Sequence, residues 1–334
     1  MIKTFDDILF PLQMRWEYAL GNVASDSRGE FDKKQFNERA PRLYPGFNHV
    51  APHPRIGVMN LMIPVGCNAT CPNICYTDIG KRRRTTEHLT FRQILGLLEQ
   101  FRSLGGKLVR IVGDGEPVLY RELPQLCQWV WEKGLNLVIF SNGVLMPQSM
   151  LQEYERGNLY FYIKLWSERI DVQKAMVAPK IPYRYQDGDI GLAPSSFYQL
   201  YEIDLSRVGF QVMFSSLNEE DAWRIVQGPK SKLPLLVENF IAQGAGAGHT
   251  ELTPRVVSPA TKACTQPERS SYLCVVNSCG RLQAGTFVPE GAIPIIGQLT
   301  DVWSSIFTSH EPFFEARYPA EPGCFCERFR SQHR

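Results

Sequence analysis

Val58-Met-Asn-Leu-Met-Ile-Pro-Val-Gly-Cys67-Asn-Ala-Thr-Cys71-Pro-Asn-Ile-Cys75 runs from a mostly apolar segment into a loop with three cysteines in nine residues. Residues 58–63 read as a strand, short and apolar as strands buried on both faces are. Working outward, Thr90 and Gln93 form a capping box at the start of a helix over 90–104. Phe91, Ile94, Leu95, Leu98 and Phe101 give that helix its apolar stripe, and Gly105 stops it. A strand follows over 107–112, a helix over 122–133 ended by Gly134, and a strand over 137–141. Then come a helix over 148–156, a strand over 159–166, a helix over 195–205 and a strand over 208–214. One or two helices broken near Pro234 fill 218–243, and 251–257 supplies a last strand.

Six strands alternating with five helical stretches is the pattern of parallel β/α units. A doubly wound sheet and a partial barrel both satisfy it. The choice rests on where the polar and glycine-rich segments fall. Residues 67–75 follow the first strand, Gly113-Asp-Gly-Glu-Pro117 the second and Ser141-Asn-Gly143 the third; 164–167 end the fourth and Ser215-Ser216 the fifth. Polar residues gathered at the carboxyl ends of most strands are the habit of barrel-like folds. The expectation is α/β, a partial (β/α)6 TIM-like barrel over 57–258. An N-terminal extension precedes it over 1–56, and a small cysteine-rich module follows over 259–334. In that module, 272–276 and 281–287 read as a hairpin turning at Asn277-Ser-Cys-Gly280. Residues 300–307 read as a short helix, and Cys324-Phe-Cys326 closes the chain.

Composition narrows the function classes. Of 334 residues, 44% are hydrophobic and 21% charged, which is globular and excludes a disordered or collagen-like chain. Lys plus Arg exceed Asp plus Glu by 36 to 34, a net charge of +2, too small to argue for nucleic acid or an anionic membrane as partner. No apolar run is long enough to cross a bilayer. The opening Met-Ile-Lys-Thr-Phe-Asp-Asp has acidic residues where a signal peptide needs an unbroken apolar stretch, so the expected location is cytoplasmic.

The cysteines carry the chemistry. Cys67, Cys71 and Cys75 share one loop; Cys264, Cys274, Cys279, Cys324 and Cys326 lie in the last 71 residues; Cys127 stands alone. A disulfide framework fits poorly with a long chain, an odd cysteine count and no secretory signal. Clustered thiols then point to zinc or iron–sulfur. Structural zinc usually pairs two C-x2-C knuckles, which C-x3-C-x3-C does not match. Three thiolates on a curved loop suit a cubane, which leaves one iron without a protein ligand and open to chemistry. Cys127, on the helix face shared by Leu123 and Val130, reads as a buried inert thiol.

Taken in order, the cysteine triplet, Gly113–Pro117 and Ser141–Gly143 resemble the radical S-adenosylmethionine (radical SAM) superfamily, whose fold is a partial (β/α)6 barrel. The tail resembles the family's SPASM or shorter twitch module through Cys264, the hairpin, Gly297-Gln-Leu-Thr-Asp-Val-Trp303 and the terminal cysteine pair. The triplet departs from the usual C-x3-C-x2-C by one residue. Ile74 replaces the usual aromatic before the last cysteine, with Tyr76 after it. Asp114 replaces a common glycine, Gly285 stands where the hairpin commonly has cysteine, and the last pair is C-x-C.

The resemblance implies a [4Fe–4S] cluster on Cys67, Cys71 and Cys75, with S-adenosyl-L-methionine chelating the fourth iron. One electron then splits the sulfonium to methionine and a 5′-deoxyadenosyl radical. It implies that Glu116 accepts the ammonium of S-adenosylmethionine, with Gly113, Asp114 and Gly115 letting the backbone approach. Ser141 and Asn142 would meet ribose or methionine groups, and Lys164 and Ser167 the methionine carboxylate. The tail cysteines would hold an auxiliary iron–sulfur cluster, structural zinc being the alternative, and a fifth among them could donate a hydrogen atom. The basic run Lys81-Arg-Arg-Arg84 could receive an acidic electron carrier such as flavodoxin or ferredoxin, or a phosphate-bearing substrate, or be a solvated loop. Tyr183, Arg184, Tyr185 and Arg255 are candidate substrate contacts. The expected reaction begins with hydrogen abstraction from a small molecule (a sugar, nucleoside or amine) in natural-product biosynthesis. The chain lacks room for the leader-binding domain of many peptide-modifying relatives, which makes peptide maturation the second reading. A non-catalytic zinc or iron–sulfur binding protein is the third.

Overall fold

The computed structural model describes residues 58–75, 88–103, 106, 108–157, 159–240, 248–252, 273–276, 278–279 and 282–283. The elements run β1 (Val58–Leu61), α1 (Phe91–Ser103), β2 (Leu108–Ile111), α2 (Leu123–Glu132), β3 (Asn136–Ser141), α3 (Gln148–Arg156) and β4 (Leu159–Lys164). They continue with α4 (Ile170–Val177), β5 (Tyr185–Gln186), β6 (Ala193–Pro194), α5 (Ser195–Asp204), β7 (Val208–Phe214), α6 (Glu219–Gln227), β8 (Leu235–Asn239), β9 (Leu273–Val276) and β10 (Leu282–Gln283). They divide into two compact units, one with β1, α1, β9, β10 and most of β2, the other with the cysteine loop and everything from Ile111 to β8.

In the first unit the strand order is β10-β9-β1-β2. β9 runs parallel to β1, Val58 opposite Leu273 and Leu61 opposite Val276, and turns into antiparallel β10. The antiparallel pairing expected of the hairpin is therefore present over the described residues, Val275–Val276 with Leu282–Gln283. α1 begins on the expected capping box: the Thr90 amide donates to Gln93 Oε1 at 2.9 Å and the Gln93 amide to Thr90 Oγ1 at 3.3 Å. It buries Ile94, Leu97, Leu98 and Phe101, so the stripe is centred one residue from Phe91 and Leu95.

In the second unit β3, β4, β7 and β8 are parallel neighbours in that order. The helices between them cover one face. Tyr154 of α3 meets Phe161, Phe197 of α5 stacks on Phe210 at 4.2 Å, and Trp223 of α6 packs edge-on against Phe214. Side chains alternate along a strand, so Tyr162, Lys164, Gln211 and Met213 face the other way.

Three expectations need correction. Of the strand expected at 251–257 only the first two residues are described, and they belong to a 3-10 turn at Thr250–Leu252; the strand beside β7 is instead Leu235–Asn239, where helix was expected. The run of three apolar residues after Pro234, Leu235-Leu-Val237, is too short to carry a periodicity that separates strand from helix, so its pairing with β7 decides. Second, the helix content expected over 218–243 ends at Gln227, with a 3-10 turn at Pro229–Lys232 before β8. Third, β4 stops at Lys164 rather than at residue 166, because the amides of Trp166 and Ser167 are taken by Gln173 of α4, a helix with no clear sequence signal. The helix expected at 300–307 lies outside the described residues.

Candidate functional site

The cysteine loop is held by the chain that leaves α4. Ala69 and Pro179 form an isolated antiparallel bridge. Around it, the Thr70 amide donates to Ala178 O at 3.1 Å, the Cys71 amide to Val177 O at 3.0 Å and the Lys180 amide to Asn68 O at 2.8 Å. Lys180 Nζ adds a bond to Cys67 O at 3.0 Å. Within the loop, the Ile74 and Cys75 amides both return to Cys71 O, one tight turn that sets the last two cysteines together. The turn costs strain: Cys71 has φ 41° and Asn73 φ 62°, and the clamping Ala178 has φ 43°. Left-handed backbone at a non-glycine residue persists only where surrounding contacts impose it, and it gathers at functional sites. Cys71 and Ile74 pack among Val144, Trp166, Val177 and Tyr183, with Cys67 and Cys75 partly buried against them. All three are free thiols.

Gly113–Pro117 meets the entry to this loop through its backbone. The Glu116 amide donates to Gly66 O at 2.9 Å. Gly115 lies so close that a Cβ there would sit 2.3 Å from Val65 O, so only glycine fits. Glu116 is 2% exposed; its Oε2 accepts the Asn142 amide at 2.8 Å, while Oε1 is equally buried and has no donor at bonding geometry. Asn142 closes the circle. Its Nδ2 donates to Asn68 Oδ1 at 2.8 Å and reaches Cys67 Sγ at 3.8 Å, and its Oδ1 accepts the Val144 amide at 3.0 Å. Gly143, with φ +72° and a virtual Cβ 2.7 Å from Ile163, supplies the turn this needs.

Lys164, at the end of β4, is the positive charge that favours the ionised forms of Cys67, Cys71 and Glu116. Burial outweighs it. It pushes the Cys71 thiol up to about 12, raises Cys67, and raises the Glu116 carboxyl despite the Asn142 amide. Ser167 is wholly buried with its hydroxyl donated to Asp221 at 2.6 Å, and Ser141, also wholly buried, accepts the Gly143 amide. Asp114 is buried. Sequence reasoning missed Gln173. Its Oε1 accepts the amides of Trp166 and Ser167, and its Nε2 donates to Lys164 O at 3.1 Å and Tyr183 Oη at 3.4 Å. A lone glutamine in a short helix carries no sequence signal for that task. Tyr183, a candidate substrate contact, is buried and donates to Asn142 O at 2.9 Å.

Cys127 is buried at 6% exposure, in line with an inert thiol. In the other unit Cys274 lies on β9 and Cys279 on the hairpin turn. Cys264, Cys324, Cys326, Lys81–Arg84 and Arg255 lie outside the described residues.

The residues of the second unit fit a cubane with an amino-acid-bearing ligand. Among the described residues no three His, Cys, Asp or Glu side chains converge as one metal ion requires. A cubane takes one thiolate per iron, and Cys67, Cys71 and Cys75 lie at intervals of four residues along one curved loop. Among the orphaned buried polar atoms beside the loop are the acceptor Glu116 Oε1 and the donor Asn68 Nδ2. That pair is complementary to an ammonium and a carboxylate.

No protein-family model matches the chain. Over 95 residues it is 28% identical to Fe-coproporphyrin III synthase of Methanosarcina barkeri (strain Fusaro), a match covering 28% of this chain and only 23% of that relative's length. Among solved structures, hexahistidine-tagged anSMEcpe with bound AdoMet aligns at TM-score 0.52 and 11% identity, over 77% of this chain and 79% of the other. Native anSMEcpe with bound AdoMet and Cp18Cys peptide aligns at 0.51 and 11%, over 77% and 81%. At these identities the likeness is one of fold. That fold is α/β, the partial barrel of the radical SAM enzymes expected from the sequence. Among the described residues no helix is long and apolar enough to cross a membrane.

Proposed function

We propose that this chain, which has the fold of the radical SAM enzymes, is a radical SAM enzyme that takes a hydrogen atom from a small-molecule substrate. One observation carries the reading. The three stretches singled out in sequence are bonded to one another inside a single unit: Glu116 N to Gly66 O, Asn142 N to Glu116 Oε2, and Asn142 Nδ2 to Cys67 Sγ. A zinc knuckle needs neither a buried carboxylate with an open oxygen nor an asparagine linking it to a thiol.

In this reading Cys67, Cys71 and Cys75 hold a [4Fe–4S] cluster, and Glu116 and Asn68 receive the ammonium and carboxylate of S-adenosylmethionine. When bound, these groups supply one-electron cleavage of the sulfonium and a 5′-deoxyadenosyl radical able to attack an unactivated C–H bond. The chain's own part is to hold and to shield. Gln173 fixes the end of β4 and so presents Lys164, whose charge favours the thiolates. Trp166, Tyr183, Val144 and Ile74 surround the loop with apolar surface that excludes water. Burial raises the Cys71 thiol, so binding of a metal there would have to be coupled to loss of its proton. A small-molecule substrate is supported by closely set polar residues on the inner face of β4, β7 and β8. Cys264, Cys274, Cys279, Cys324 and Cys326 are proposed to supply an auxiliary iron–sulfur cluster, and a reduced flavodoxin or ferredoxin the electron.

Anaerobic reconstitution tests this. Reconstituted protein with dithionite and S-adenosylmethionine should release 5′-deoxyadenosine, and Cys71→Ala should release none. A colourless, zinc-loaded protein that leaves S-adenosylmethionine intact would overturn the proposal.

A further inference from the structure

On the sheet face turned away from the helices, Lys164 of β4 is in register with Gln211 of β7, and Met213 of β7 with Glu238 of β8. Met213 packs against the cysteine-loop cluster, so this face looks toward the site described above. Gln211 Nε2 donates to the Glu238 carboxylate. An ionised carboxylate only accepts, so this bond fixes the amide: its NH2 must face Glu238 and its carbonyl must face away. That carbonyl oxygen is buried without a donor, on a residue only 9% exposed. A buried acceptor left open costs about 1–3 kcal/mol, and native structures keep few of them without a use.

We infer that Gln211 and Glu238 form a recognition site for a protonated amine on the substrate. The amide carbonyl and the carboxylate offer acceptors alone. An ammonium brings three donors and a charge opposite to that of Glu238; a hydroxyl brings one donor and no charge. Lys164 is the neighbour on one side, close enough to act on Glu116 and Cys71, so an amine anchored here leaves the rest of a small polar molecule beside the reactive end of the barrel. The inference rests on the radical SAM reading for what happens to the substrate, whereas the binding step needs only these side chains.

The test uses the anaerobically reconstituted full chain, with D-glucosamine and D-glucose as matched probes, titrated by saturation-transfer NMR. Glucosamine should bind at least about tenfold more tightly than glucose, the weight of one charge-assisted bond. Gln211→Met and Glu238→Gln should each erase that preference. Gln211→Met removes the open acceptor together with one donor to Glu238, so Tm should change little, whereas loss of an amide with a purely structural role would lower it. Equal affinity for the two sugars, no glucosamine binding, or variants that retain the preference each overturn the inference. Release of 5′-deoxyadenosine is scored separately: amine binding without release rejects the radical SAM reading alone, and release without amine preference rejects this site alone.

Discussion

Glu116 is buried, its Oε2 bonded to the Asn142 amide and its Oε1 without a donor at bonding geometry. Burial raises its pKa, and a ligand ammonium would lower it again by supplying the missing donor. Glu116→Gln keeps the shape and an acceptor but loses the charge. A hydrogen bond to a charged group is worth about 1.5–3 kcal/mol, so the variant should bind S-adenosylmethionine about 10–100-fold more weakly, read by equilibrium dialysis with labelled ligand on reconstituted protein. Unchanged affinity would remove Glu116 from the site. At this scale legibility was uneven. Glu116 and Asn142 stand in strings with unusual glycines next to strand ends, and the strings announce them. Gln173 and Asn68 do not announce themselves: Gln173 acts through amide geometry that a single glutamine in a short helix does not signal, and Asn68 meets Asn142 only when segments 74 residues apart come together. Ser167 shows the reverse: its position after β4 is legible, but its hydroxyl is spent on Asp221.

At the element scale, local chemistry fixed boundaries where it was strong. α1 starts on the Thr90–Gln93 box, and α3 and β7 match the expected residues, α3 between Pro147 and Gly157. It failed where elements are short: Leu235–Asn239 owes its form to pairing with β7, and Ile170–Val177 is fastened by Gln173 to the end of β4 and at its own end to the cysteine loop. Gly96 gives a clean measure of propensity. It lies exposed in α1, and a Cβ there would meet nothing within 4 Å. Gly96→Ala should therefore stabilise the protein by about 0.5–1 kcal/mol in urea unfolding, and a loss of stability would mean that the helix is strained at that turn. The end of α5 gives a pH dependence. Burial opposes ionisation of Asp204, but its bonds from Ser206 and Arg207 outweigh it and hold the carboxyl below the ordinary carboxylate range. A depressed folded-state pKa gives stability that is complete above the unfolded value and lost as pH falls through the folded one. The stability difference between parent and Asp204→Asn should stay flat from neutral pH to about 4 and shrink below it. A difference that grows on acidification would contradict the assignment.

At the scale of the molecule, the alternation of strands and helices told the fold class, since parallel strands need covered faces and long crossovers, and both mark the sequence. What alternation cannot tell is how segments far apart in the chain are tied, and Lys230 is the clearest case in the second unit. Its ammonium is 1% exposed, pairs with Glu168 after β4 and bonds to Ile190 O at 2.9 Å, joining three segments across 62 residues of chain. Glu168 is different: its side chain is 36% exposed, and water can take over from a lost partner. The two halves of the pair should therefore differ in cost. Lys230→Met removes the buried charge and leaves a carboxylate that water solvates and one backbone carbonyl, for about 1–2 kcal/mol. Glu168→Ala strands a buried ammonium with a single carbonyl, for about 2–4 kcal/mol, somewhat below a fully buried broken pair because Glu168 was already partly screened. Urea denaturation of both variants and of the double variant decides it. If Lys230→Met proves the more damaging, or if the double variant is no more stable than Glu168→Ala, then Lys230 matters through packing of its stem and the charge is incidental.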